Sequence, residues 1–275
     1  YRVISQNFKA EYQKSSSSVI TATTKSGGNT WSGSAFLSYQ DKGLIGLDSF
    51  QIRDKNNNPG GFKEPEYSRY LLGISAGGPL IKDKLHAFAS YEGNYQDRQN
   101  RVTMTPTPTG FAALDSVNLA SYDGAFTSPF RESLFFGKLS YAVNPKSTAE
   151  LSFSNRHETD ERDFGGTRSF QSAVNFRNKV SIGQLRYNLF TGPWLNEFKV
   201  DFSRFQRNPS PNTPGLASRI YQYNNTDNRI GSDLSTQDFV QKRLGFRNDV
   251  TYSGFQAGGQ HVLKAGISVD FADYD

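Results

Sequence analysis

From Thr30 to its end the chain repeats one unit: an alternating run of apolar and polar residues, a short turn, a second such run, then a long polar loop. Alternation at a period of two makes each run a β-strand with one apolar and one polar face. The sorting of connections constrains the architecture further, because it gathers the long loops at one end of the strands and the short turns at the other. A soluble sandwich or propeller has little reason to sort its loops this way. A membrane barrel does, since only its external side carries a binding surface.

Taken in order, Ala35, Leu37 and Tyr39 share a face opposite Ser34, Ser38 and Gln40, with Phe36 intruding on the polar side. Beyond a polar loop over Lys42 to Tyr67, Tyr70, Leu72, Ile74 and Ala76 form the next apolar face. Gly77-Gly78-Pro79 reads as a tight turn, and Leu85, Ala87, Ala89 and Tyr91 return opposite Ser90, Glu92, Asn94 and Gln96. After a loop over Arg101 to Phe130, Leu139, Tyr141 and Val143 lead to a turn at Asn144 to Ser147 and a return through Ala149, Leu151 and Phe153. A loop around Asp163 to Phe176 precedes Val180, Ile182, Leu185, Tyr187 and Leu189, whose change of parity near Gly183 predicts a bulge. Thr191-Gly192-Pro193 turns the chain into Phe198, Val200 and Phe202, and a loop over Arg207 to Asp238 follows. Leu244, Phe246, Val250 and Tyr252, then Leu263 to Phe271, complete about nine strands. Runs of about 11 to 14 residues exceed the soluble norm and suffice to cross hydrocarbon at a tilt. Tyr91, Tyr141, Tyr187, Trp194 and Tyr252 lie where an interfacial aromatic girdle is expected.

Composition agrees. With 35% hydrophobic residues in 275 and a mean hydropathy of −0.63, a thick soluble core is poorly supplied, yet aromatics reach 14%. No run approaches the roughly 18 apolar residues of a membrane helix, so contact with a bilayer requires a barrel. There is no cysteine, hence no disulfide or thiolate site. The net charge of +5 is scattered among Asp and Glu rather than gathered in a stripe, which argues against nucleic acid as a partner. Tyr1-Arg2-Val3-Ile4-Ser5 shows no signal peptide, and the chain is read as starting inside a domain.

Ahead of the repeat, Val19 to Lys25 reads as a short strand and Ser26-Gly27-Gly28-Asn29 breaks it. The run Thr24, Lys25, Ser26, Gly27, Gly28, Asn29, Thr30, Trp31, Ser32, Gly33, Ser34 resembles the plug-to-barrel junction of TonB-dependent outer-membrane receptors, most closely their Oar-like group. Ala10-Glu11-Tyr12-Gln13-Lys14-Ser15 fits the end of that plug, with Gln13 in place of the usual Gly. A second block, Leu72 to Lys84 followed by Phe88 and Tyr91-Glu92, is similar to the second and third barrel strands of the same group.

The resemblance implies an all-β fold: part of a transmembrane antiparallel β-barrel, about nine strands of about 22, with the C-terminal end of a plug domain. Residues 1–29 are then the plug end and junction, and 30–275 the first part of the barrel. An odd strand number leaves an apolar edge at Leu263 to Phe271, so a fragment is expected. The implied function is energy-coupled uptake of a scarce solute, whether an iron chelate, vitamin, oligosaccharide or peptide. The implied partners are outer-membrane lipid, that solute, and the TonB-ExbB-ExbD complex acting through a part outside this chain. A porin or barrel enzyme without TonB coupling, and a soluble carbohydrate-binding or adhesive β domain, remain alternatives. Candidate solute contacts are Glu92, Asn94, Gln96, Arg243 and Arg247 on polar strand faces, and Phe62, Tyr67, Tyr221 and Tyr223 in or beside loops. No enzyme activity, cofactor or metal is assigned. His86, His157 and His261 are far apart, the Gly pairs are read as turns rather than phosphate cradles, and Glu197 with Asp201 reads as ordinary lumen charge.

Overall fold

The computed structural model describes residues 1–5, 12, 18–105, 117–223 and 225–275, apart from the side chains of Arg2 and Tyr223. Of the Ala10 to Ser15 block only Tyr12 lies within them. Short strands β1 (Arg2–Ile4) and β2 (Val19–Thr21) pair with each other. The remaining elements are β3 (Ser32–Asp41), helix α1 (Ser49–Asn57), β4 (Tyr67–Ile81), β5 (Leu85–Val102), β6 (Gly124–Asn144), β7 (Ser147–Arg162), β8 (Val174–Thr191) and β9 (Trp194–Arg207). They continue with β10 (Ser210–Pro211), β11 (Arg219–Tyr223), β12 (Thr226–Ile230), β13 (Phe239–Gln256) and β14 (Gln260–Tyr274). Nine of these strands make one up-and-down antiparallel wall in the order β3-β4-β5-β6-β7-β8-β9-β13-β14, with β10 added beside β8. None of the described helices is long and apolar enough to cross a membrane.

Residues opposite each other in an antiparallel pair share a face, so the registers sort the wall into two surfaces. One carries rows such as Leu72, Ile74, Tyr91, Phe135 and Leu139, continued by Leu151, Leu185, Val200, Phe246 and Val269. None of the described residues covers it: Leu37 is 71% exposed, Ile74 59% and Ile267 69%. The other face carries Glu92, Asn94, Glu132, Arg156, Asp201 and Arg247. The buried apolar cluster of the described residues lies elsewhere, among Val102, Met104, Leu119, Phe164, Ala173 and Ile230 at the long-loop end. A sheet whose apolar face is bare while its loops enclose a small core is built for a solvent other than water on that face.

Three expectations change. Gly77-Gly78-Pro79 is not a turn: β4 runs through it to Ile81, and the chain reverses at Lys82 to Lys84, where Asp83 takes φ +60°. No bulge forms at Gly183, because β8 keeps continuous register against both β7 and β9 there. Val180 and Ile182 therefore sit on the polar face, Ile182 between Ser154 and Ser203. The register breaks lie instead at the short-turn ends, between Pro79 and Ile81, Ala142 and Asn144, and Tyr252 and Phe255. The long loops also hold structure that lacks strand periodicity. The loop after β3 contains α1, whose start is a capping box in which Asp48 accepts from the Gln51 N–H at 2.9 Å and Gln51 accepts from the Asp48 N–H at 3.0 Å. The loop after β9 contains the β11–β12 hairpin, and β6 begins at Gly124, well inside the expected Arg101 to Phe130 loop, while β5 reaches only to Val102 at its start.

Candidate functional site

Three places on this frame carry chemistry: the approach to β3, the polar face, and the long-loop cap. Thr24, Lys25 and Ser26 are exposed irregular backbone, and Gly27 is the first residue of the approach to settle on the wall. The two adjacent glycines of β4 explain where it settles. Gly77 faces the polar side with Phe88, and a Cβ placed on it would lie 3.3 Å from Gly27 Cα. Gly78 faces the apolar side with Ala87, and a Cβ there would lie 2.2 Å from Cδ2 of Trp31. One glycine pair is thus occupied on its two faces by two residues of one segment. Gly33 continues the close approach, since a Cβ on it would meet Ser75 O at 2.8 Å.

Between them, Asn29 clasps the short turn. Its Oδ1 accepts from the Asp83 N–H at 2.8 Å and lies 2.8 Å from His86 Nε2, while its Nδ2 donates to Asp83 Oδ1. The αL conformation of Asp83 aims its N–H and carboxylate at the same amide. Gly28, by contrast, touches nothing within 4 Å of a built Cβ. Thus Gly27, Asn29, Trp31 and Gly33 of the sequence-predicted junction make specific contacts with the Ser75 to Ala87 block.

The five polar-face candidates lie on the expected face but in two separate groups. Glu92, Asn94 and Gln96 form one row of β5, with Asn94 accepting from Arg69 Nε at 3.0 Å. Arg243 and Arg247 stand on β13, five strand spacings away, roughly 24 Å along the wall. Arg243 donates to Asp270 at 2.9 Å and Arg247 to Asp249 at 2.6 Å. Further pairs, Arg156 to Glu132 at 2.6 Å, Lys138 to Glu150 at 3.0 Å and Lys199 to Asp201 at 3.7 Å, give this face a mixed-sign lining. Tyr67 opens the polar face at the loop end of β4, opposite Arg98. Phe62 follows α1, its N–H bonded to Asn58 O at 2.9 Å, and Tyr221 packs against the loop core. The Tyr223 side chain lies outside the described residues. These nine do not form one constellation. Among the described residues no group of three or more His, Asp or Glu is placed to hold a metal ion.

The cap was not legible as a site in the sequence. Its loops are tied by Ser172 Oγ donating to Gly231 O at 2.8 Å, Thr167 Oγ1 to Asp227 O at 2.8 Å, and the Thr105 N–H to buried Asn228 Oδ1 at 2.9 Å. They leave an open cleft of ≈ 400 Å³ among Ser172, Ser218, Arg229, Ser232, Asp233 and Ser235. At Asp233 burial raises the carboxyl pKa. The Ser235 hydroxyl and N–H, with the Arg168 and Arg229 guanidinium groups, outweigh that and hold it below its ordinary 3.8. A carboxylate with a depressed folded-state pKa contributes stability that is complete above its unfolded value and is lost as pH falls through the folded one. Hydrogen-exchange protection factors of the 163–173 and 208–238 loops, which divide out the intrinsic pH dependence of the amide, are therefore expected to stay flat from neutral pH to about pH 4 and to fall below it. Asp233→Asn should already open these loops at pH 7, by roughly 1 to 2 kcal/mol. Exchange indifferent to both changes would remove Asp233 as a tether.

Comparison with known proteins fits this geometry. Residues 23–133 match the family model described as outer membrane beta barrel domain. Over 153 residues the chain is 26% identical to the TonB-dependent transporter Oar of Myxococcus xanthus, an alignment covering 52% of this chain and 14% of that protein. The fold is similar to the outer membrane transporter YddB from Escherichia coli, with a TM-score of 0.71 and 12% identity, over 99% of this chain and 34% of that one. The chain thus spans only a minor part of the length of either. With the bare apolar face, these matches place the wall in an outer membrane as part of a transmembrane β-barrel. The apolar face meets lipid, the polar face lines the lumen, the short turns are periplasmic and the long loops external.

Proposed function

We propose that the whole protein is a TonB-dependent receptor that takes up a scarce solute across the outer membrane, with residues 1–29 ending a plug and 30–275 opening its barrel. The observation that carries this reading is the seat of Gly27 on Gly77, a residue of the lumen face. The segment before β3 approaches the wall from inside, as a chain leaving a plug must. A simple porin gives no reason for a lumenal segment with a dedicated glycine seat and an asparagine clasp. Solute is received at the external cap, where the Ser172, Arg229 and Asp233 cleft and Tyr221 lie, and passes the mixed-sign lining of Glu92, Asn94, Gln96, Arg243 and Arg247. Such a surface suits a polar solute and selects none among iron chelates, vitamins, oligosaccharides and peptides. The TonB-ExbB-ExbD complex acts on a part outside this chain. No catalytic role is proposed.

The test is uptake by cells carrying or lacking the full-length gene, with labelled solutes of those four classes. One solute should accumulate only in carriers, and a protonophore should abolish its accumulation while leaving surface binding intact. Accumulation unaffected by the protonophore would favour a passive porin-like barrel instead.

A further inference from the structure

Two adjoining depressions indent the lipid face near its periplasmic edge. One, of ≈ 430 Å³, is floored by Ala76, Ala87, Ala89 and Gly137 and bordered by Trp31 and Phe153. The other, of ≈ 380 Å³, continues toward the short turns between Leu85, Tyr141 and Leu185. They share Leu139 and Leu151, so they form one groove. Its origin is the register: Ala76 pairs with Ala89 and Ala89 with Gly137, which lines up three small residues across β4, β5 and β6; the next row toward the loops carries Ile74, Tyr91 and Phe135, and the next toward the turns Gly78, Ala87 and Leu139.

At the turn end of the groove the chemistry changes from apolar to cationic. Lys84 Nζ lies 5.9 Å from the centre of the Tyr141 ring, which itself lines the groove, so the ammonium stands on the lipid face at the groove mouth. The neighbouring turn, which carries Lys146, is held alongside by β6, whose Ala142 N–H donates to Lys84 O at 2.8 Å. The acidic groups nearby are committed: the Asp83 carboxylate accepts from Asn29 Nδ2, and Glu150, which borders the groove, belongs to the lumen face, where it is paired with Lys138 at 3.0 Å and Arg186 at 3.8 Å.

We propose that this groove holds one glycerophospholipid of the periplasmic leaflet with a net-negative headgroup, its acyl chain along the alanine floor and its phosphate facing Lys84 and Lys146. Lysines at a membrane edge extend their ammonium groups to the headgroup level, where anionic phosphates concentrate. Trp31 and Tyr141, on the same edge, are aromatic types that settle at that level. The groove supplies shape and the lysines supply charge selection, a combination that plain contact with bulk lipid lacks. The inference depends on the outer-membrane placement of the wall and not on solute uptake.

The experiment is native mass spectrometry of the full-length protein in mild detergent, titrated with phosphatidylglycerol and with phosphatidylcholine of the same chains. One phosphatidylglycerol should be retained about tenfold more strongly than phosphatidylcholine. Lys84→Gln with Lys146→Gln should erase that preference, while Lys242→Gln at the external end leaves it. Ala89→Phe, which fills the floor, should weaken both lipids, with heat-modifiable gel mobility confirming a folded barrel. Equal retention of the two lipids, or indifference to the paired lysine change, would overturn the proposal. So would a dimer mass that displaces the lipid, because the groove would then be an interface between copies.

Discussion

Replacing Gly27 by Val is expected to unseat the segment ahead of the barrel while leaving the wall folded. A Cβ at this position would lie 2.3 Å from Ala87 O, 2.8 Å from Gly78 O and 2.9 Å from Gly78 N. All three are backbone atoms of paired strands, so none yields without breaking the β4–β5 ladder. Overpacking of this kind costs about 3 kcal/mol, equivalent to roughly a hundredfold fall in the docked fraction. Amide exchange over residues 24–31 of the full-length protein should rise accordingly, with gel mobility of the unheated barrel unchanged. Gly28→Val is the internal control: a Cβ there meets nothing within 4 Å, and its effect should stay within about 0.5 kcal/mol. Equal exchange in the two variants would mean that Gly27 is not the seat, and the lumenal approach would lose its support.

The second large effect is expected in the cap. Gly231 has φ +79°, and a Cβ there would lie 1.9 Å from Ala217 O. Alanine would therefore incur about 1 to 2 kcal/mol for the left-handed conformation, and a comparable or larger cost for displacing the 217 carbonyl. Gly231 O accepts from Ser172 and its N–H donates to Gln171 Oε1 at 3.2 Å, so its displacement uncouples the 163–173 loop from the 208–238 loop. Gly231→Ala should raise proteolysis of these loops on intact cells by at least tenfold. Gly192→Ala, at φ +57° in an open turn, should cost only the conformational part. If both variants resist protease equally, the cap is not held at Gly231.

Both expectations concern glycines, and glycines separate what was legible from what was not. In the sequence Gly77-Gly78 next to Pro79 is punctuation, and a turn is the local inference. The structure uses the pair as flat ground for Gly27 and Trp31, residues some fifty positions earlier. No window of neighbouring residues contains that reason. The parity change near Gly183 misled in the same way: Val180 and Ile182 are β-branched and apolar, yet unbroken hydrogen bonding on both sides keeps them facing the lumen. Phe36, which spoiled its strand's alternation, rests across Gly73, where an added Cβ would lie 2.2 Å from its ring. The deviations from a clean period of two were thus records of contacts with other strands.

The wall itself was readable because its cause is local. Successive side chains of a strand point to opposite faces, so a strand that separates lipid from water must write that separation into alternate residues, and each short turn must follow directly. That determined the nine strands, their up-and-down order, the apolar face and the placing of Glu92, Asn94, Gln96, Arg243 and Arg247 on the other. The tertiary structure alone decided which glycines are seats, that Asn29 closes on Asp83, that the loops share a core around Val102 and Ile230, and that small residues of three strands align into a groove. Each of these rests on groups brought together by strand register across dozens of residues. Register is settled by the whole sheet at once, and no single stretch of chain encodes it.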